Sequence, residues 1–191
     1  MGITDLEEQF TFYASYHHAF VNQLIHIVCV WPILWTALVF TQYIPIEAPI
    51  STPVHPANIA LFTALFYAAV YVVMDKKAGS LAALLVLICL ITSRRFYLTA
   101  EISYGVPAWQ LAVLIHVVCW IAQFVGHGVF EGRAPALLDN VTQAFVMAPF
   151  FVLLEVLFHL GYRKDMQVKL WKNVEKELAR LKQKKIGKSR K

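Results

Sequence analysis

The chain has 191 residues, of which 59% are hydrophobic and 15% charged, with a mean hydropathy of +0.57. Soluble domains carry about 25% charged and about 45–50% apolar residues, so this composition excludes an ordinary soluble enzyme and indicates a single membrane-embedded domain. The first ten residues hold Asp5, Glu7 and Glu8 and no Lys or Arg, which argues against a cleaved secretory signal and against an Arg-rich transit peptide.

In chain order, an apolar stretch from Leu24 to Phe40 is followed by a Pro-rich connection at 44–56. A second stretch runs from Ala57 to Met74, and Asp75, Lys76, Lys77 and Gly79 mark a turn. The third, Ser80 to Thr92, is short unless it continues through Leu98, and Arg94 and Arg95 close it like a snorkelling pair at a helix end. The fourth is Pro107 to Val125 and the fifth Val141 to Leu160. A spanning helix needs roughly 20 apolar residues, so the first, second, fourth and fifth qualify on length and the third is marginal. The fold expected is all-α, a polytopic membrane bundle of about four spans plus a fifth segment. Pro149, Glu155 and His159 interrupt that fifth segment and suggest that it is bent or re-entrant.

Charge orients the bundle. From Arg163 onward the chain has 12 basic residues against Asp165, Glu175 and Glu177, a net charge of +9 in a chain of total +5. Val168, Leu170, Trp171, Val174, Leu178 and Leu181 recur at helical spacing, so residues 163–191 read as a basic, amphipathic, cytosolic tail that meets membrane lipids. Nucleic acid is not expected as a partner, because the tail is poor in aromatic residues and hangs from a membrane body of residues 1–162. With both termini cytosolic, Lys76 and Lys77 fall on the same side, and so do the two histidine clusters described next.

The first cluster is YHHAFVNQLIH, in which His18, Asn22 and His26 are four apart and share one face of a continuous helix. The second is GHGVFE, in which His127 and Glu131 share a face if helix continues; Gly126, Gly128 and Gly132 make an irregular turn equally compatible. Imidazoles plus a carboxylate around open positions suit non-haem Fe(II) chemistry; zinc takes the same ligands, and spacing does not separate the two metals. His116 lies ~16 Å along a helix from His127 and reads as a buried, hydrogen-bonded histidine. His55 belongs to the far side and His159 to an interface. Asp139 and Asn140 can cap the fifth segment, while Asn140 or Arg133 can instead meet an anionic head group. Cys29, Cys89 and Cys119 lack metal-site spacing and read as small buried apolar groups.

The blocks FYASYHHAFVNQLIHIVCVWP and WIAQFVGHGVFEGRAPALLDNVTQAFVMAPFFVLLEVLF resemble a membrane family of 2-hydroxy fatty acid dioxygenases, long classed as a domain of unknown function. The resemblance covers most of residues 10–162. It maps the family's motifs onto Tyr16, His17, His18, Asn22 and His26, and onto Gln123, Gly126, His127, Glu131, Pro135 and Asn140. It implies residence in the endoplasmic reticulum and Fe(2+)-dependent α-oxidation, in which a 2-hydroxy fatty acid and O₂ give the acid one carbon shorter plus CO₂, in phytosphingosine degradation. On that basis His18, His26 and His127 are expected to hold iron. His17, Asn22 and Glu131 are expected to assist, with Glu131 either binding the metal or orienting His127. Three other readings compete. A di-iron lipid hydroxylase needs more histidines, a haem protein would pair His26 with His116, and a scaffold protein would carry its histidines incidentally.

Overall fold

The computed structural model describes residues 5–46, 57–135, 140–141 and 143–189, and within them the chain is helical. His55 and Asp139 lie outside the described residues. Helix α1 spans Leu6–Tyr16, α2 Phe20–Gln42, α3 Ile59–Met74, α4 Lys76–Tyr104 and α5 Ala108–Val125. A π-helical turn, Gly126–Glu131, continues α5; a second, Gln143–Met147, leads into α6, Ala148–His159, and α7 covers Lys164–Ser189. The expected helical membrane bundle is what the structure shows, with two shifts in length. Helix α4 runs straight through Arg94 and Arg95 and stops only where Gly105 adopts a left-handed φ of 72° ahead of Pro107, so the third stretch is the longest helix rather than a marginal one. Helix α3 has 16 residues because Asn58 caps its start and Asp75 ends it. By length and composition α2, α4 and α5 with its π-turn can cross a membrane, and the pair around the 117° bend between 143–159 and 164–180 adds a fourth candidate.

Three longitudinal helices define two ends. At the far end, Asn58 donates to Gln42 Oε1 (2.7 Å) and Gln42 donates to Ser93 Oγ (3.3 Å), a buried polar layer joining α2, α3 and α4. From there α3 returns to Asp75, whose carboxylate accepts from Lys77 N and Ala78 N and so caps α4 immediately. This hairpin packs tightly through Ala60, Ala64, Ala78, Gly79 and Ala82; a Cβ on Gly79 would collide with the Tyr71 carbonyl. Its outer faces, with Val73, Leu84, Ile88 and Ile91 exposed, join Leu114, Val118 and Ile121 of α5 in an apolar belt suited to lipid.

Everything else gathers at the near end. Helix α6 lies against α1, α2, α3 and α4 through Phe150, Phe151 and Leu154, each fully buried; Phe151 meets Phe10 edge-on, and Phe150 stacks on Tyr71. It starts beside α5 and α1, where Gln143 donates to Gln9 (2.9 Å). It ends at the α3–α4 turn, where Tyr162 (3.1 Å) and Arg163 (2.5 Å) bind Asp75. The segment thus runs from Gln9 of α1 to the Asp75 turn, and with α7 it forms a pair bent by 117°. Helix α7 then packs on α1: Leu170 and Val174 are buried in the shared core, and Lys169 pairs with Glu7 (2.6 Å). Much of the apolar stripe of the tail thus faces protein, leaving its basic side outward.

Candidate metal centre

The near end holds the histidines because three separate pieces of chain stop there. Helix α1 breaks after Tyr16, with His17 at φ −133°, ψ 66°, and α2 begins at Phe20. The residue before α2, Ala19, has no side chain that can cap it; the cap comes from Glu131, 112 residues on, whose Oε1 accepts from His18 N and Ala19 N at 2.8 Å each. A carboxylate at a helix N-terminus satisfies orphan donors and complements the helix dipole. Asn22, fully buried, bridges Tyr16 O (3.4 Å) and Glu131 Oε1 (3.1 Å), and Gln23 donates to His17 O (2.8 Å). The break is thus held by side chains of α2 and of the π-turn.

This break changes which histidine turns inward. His17, His26 and His127 converge, with ring centroids 4.3 to 4.9 Å apart and one potential ligand atom from each within 4.8 Å of the others. All three are buried. His18 points outward, its side chain 46% exposed, and its Nδ1 pairs with Glu131 Oε2 at 2.6 Å. The expectation that His18, Asn22 and His26 present one helical face is therefore corrected: His18 precedes the first turn of α2, so the 100° step does not apply to it, and His17 holds the inward position. Glu131 stands beside this cluster, its oxygens engaged by the His18 imidazole, the backbone N–H groups of His18 and Ala19, and the Asn22 amide.

Two of the imidazoles are oriented for coordination. His17 Nδ1 lies 2.8 Å from Tyr13 O and His26 Nδ1 2.9 Å from Asn22 O, contacts that require Nδ1–H and leave the Nε2 lone pairs free. Burial pushes the His17 imidazole well below its usual pKa, and repulsion from His26 and His127 adds to this, so it is neutral at physiological pH, as a ligand must be. His127 Nδ1 is buried without a hydrogen-bond partner. An orphaned buried ring nitrogen beside two further imidazoles fits a cation, and three neutral imidazoles leave room in its coordination sphere for substrate.

Behind His17, Tyr13 stacks at 4.2 Å and donates to Glu155 (3.3 Å), which also accepts from Gln23 (3.4 Å). Burial and the Glu155 carboxylate push the Tyr13 phenol well up, so it stays a donor. Sequence reasoning assigned Tyr13, Gln23 and Glu155 no part in the site; a Glu inside an apolar run was the one available signal. The cavity beside the cluster is lined mostly by apolar groups, including Trp120, Phe124 and Ala148, together with Gln123 and Gln143. Gln123 Nε2 is buried without a partner. Arg133 stacks 3.4 Å over Tyr16 and reaches Ser15 O (3.4 Å), and it is not among the cavity's lining residues. Asn140 accepts from Gln143 N (3.0 Å), the capping role considered for it. His116 uses both ring nitrogens, towards Thr36 (2.7 Å) and Trp120 (3.0 Å), and leaves no lone pair to share a haem with His26.

A three-histidine pocket at one end of an apolar helical bundle defines a membrane protein with a candidate metal centre. The chain belongs to the family described as 2-hydroxy-palmitic acid dioxygenase Mpo1-like, which matches residues 3–160. It is 36% identical over 174 residues to the 2-hydroxy-palmitic acid dioxygenase MPO1 of Saccharomyces cerevisiae, covering 91% of this chain and 92% of that one. No solved structure matches the chain.

Proposed function

We propose that the protein is an Fe(II)-dependent dioxygenase of 2-hydroxy fatty acids. The reaction converts a 2-hydroxy acid and O₂ into the acid one carbon shorter, CO₂ and water. The four electrons lost by the substrate reduce O₂ completely, so no external reductant is consumed. The observation that carries this reading is the buried cluster of His17, His26 and His127 in a chain that shares 36% identity with a protein named for that activity. These three residues would hold the iron, which supplies Lewis acidity and activation of O₂. Tyr13 O and the Asn22 carbonyl keep two imidazoles in the coordinating tautomer. Glu131, His18 and Asn22 hold the helix break that aims His17. The unpartnered Gln123 amide offers a donor to the substrate's carboxylate or 2-hydroxyl, and the apolar lining keeps bulk water from the reacting carbon.

The same reading places the protein in the endoplasmic reticulum membrane, in degradation of sphingoid long-chain bases, with both termini cytosolic and the basic side of α7 against lipid head groups. Residues 1–162 would form the catalytic body. Purified protein given Fe(II), O₂ and 2-hydroxypalmitate should release the C15 acid and CO₂. Iron-loaded protein that forms no shorter acid from any 2-hydroxy acid would remove the assignment.

A further inference from the structure

A second apolar cavity adjoins the histidine cavity, and the two share Trp120, Gln123, Ala144 and Ala148 as a common neck. The second cavity runs away from the histidines along α2, past Val30, Ile33, Leu34 and Ala37, with His116 on its α5 wall and Tyr67 on its α3 wall. From the level of His127 to that of His116 the groove extends ~16 Å along α5. Its roof is the π-turn Gln143–Met147, whose carbonyls are latched by α3: Tyr67 donates to Phe145 O and Tyr71 to Val146 O, both at 2.8 Å. The neck has a fixed wall. Trp120 Nε1 donates to His116 Nε2 (3.0 Å), His116 Nδ1 meets Thr36 Oγ1 (2.7 Å), and Thr36 bonds back to Pro32 O (2.9 Å). This strap ties the indole to α2, and it uses a polar histidine inside an apolar bundle where a cheaper apolar contact would fill the space. Phe124 and Phe145, about half exposed, flank the outer side towards lipid.

We infer that this groove holds the acyl chain of the substrate, with the carboxyl end at the histidines and the methyl end between Ile33, Ala37 and His116, so that its length selects long-chain acids. The inference rests on the proposed substrate class. A polar head and a long apolar tail require a few polar groups at one end of an apolar channel, and the histidines and Gln123 stand at one end of these joined cavities. Entry from the membrane between α5 and the π-turn lets the chain leave lipid without crossing water.

The test is photo-crosslinking with a 2-hydroxy fatty acid of sixteen carbons carrying a terminal diazirine, irradiated without O₂ on the full-length, iron-loaded protein. Adducts are expected on residues 33–37 of α2 and at His116. Adducts confined to the outer belt, such as Leu114 and Val118, would overturn the proposal. Turnover gives an independent measure. Ala37→Phe and Ile33→Trp each fill the far groove and should lower the ratio of kcat/KM for 2-hydroxypalmitate over 2-hydroxyoctanoate by about tenfold or more. An unchanged ratio in both iron-loaded variants would contradict the groove. Crosslinks at 33–37 in a protein that oxidises neither acid would keep the groove and remove the reaction.

Discussion

Glu131 serves here as a remote helix cap. Its carboxylate binds two backbone N–H groups, the Asn22 amide and the His18 imidazole, with a side chain only 1% exposed. Glu131→Ala should therefore destabilise the fold by about 2 kcal/mol or more, a lost cap plus buried donors left unsatisfied. It should weaken iron binding about 10- to 100-fold without abolishing it, the usual consequence of removing support behind a ligand. Thermal denaturation and iron titration check this, and complete loss of iron in a folded variant would make Glu131 a ligand after all. At this scale the sequence was partly legible. His26 sits in an apolar run and His127 in an irregular turn, and both were singled out. The inward choice between His17 and His18 was not legible, because the residue that breaks the helix there is 113 positions away and no glycine or proline marks the spot.

At the scale of elements, breaks position the site. The π-turn at Gly126–Glu131 sends His127 towards the cluster and Glu131 towards α2, and Gly126 permits it because a Cβ there would collide with the Asn22 amide. The other device is the Asp75 corner, which ends α3, caps α4 and binds Tyr162 and Arg163. Asp75→Ala removes four hydrogen bonds, those from Lys77 N, Ala78 N, Tyr162 and Arg163, and should cost about 2–4 kcal/mol, since Arg163 and the first N–H groups of α4 lose their acceptor together. A lowered Tm and faster proteolysis between α6 and α7 are the expected readouts, and a Tm within a degree of the parent would contradict the corner's role. Helix α4 carried a readable stop signal in Gly105 and Pro107. Taking Arg94 and Arg95 as its end underweighted that signal, because long basic side chains extend alongside a continuing helix as readily as they finish one.

For the whole molecule, the connections gather α1, the Asp75 turn, the histidines and α7 towards one end, and the fifth segment expected to be re-entrant joins α7 through a 117° bend. Tags at the N- and C-termini should thus both be protease-accessible in sealed microsomes, and protection of one tag alone would contradict the re-entrant path. The number of apolar segments, the basic tail and the interrupted fifth segment were all visible in composition and charge. The bend itself falls where Gly161 and Arg163 take positive φ values of 88° and 46°, and Arg163 is held there by Asp75, 88 positions away, a contact that no local pattern encodes. The central claim, that His17 rather than His18 completes the metal centre, is tested most directly by iron content and turnover of purified His17→Ala and His18→Ala proteins side by side. The structure predicts that His17→Ala retains neither iron nor C15 acid production, while His18→Ala keeps bound iron and measurable turnover. Iron retained in His17→Ala and lost from His18→Ala would contradict it.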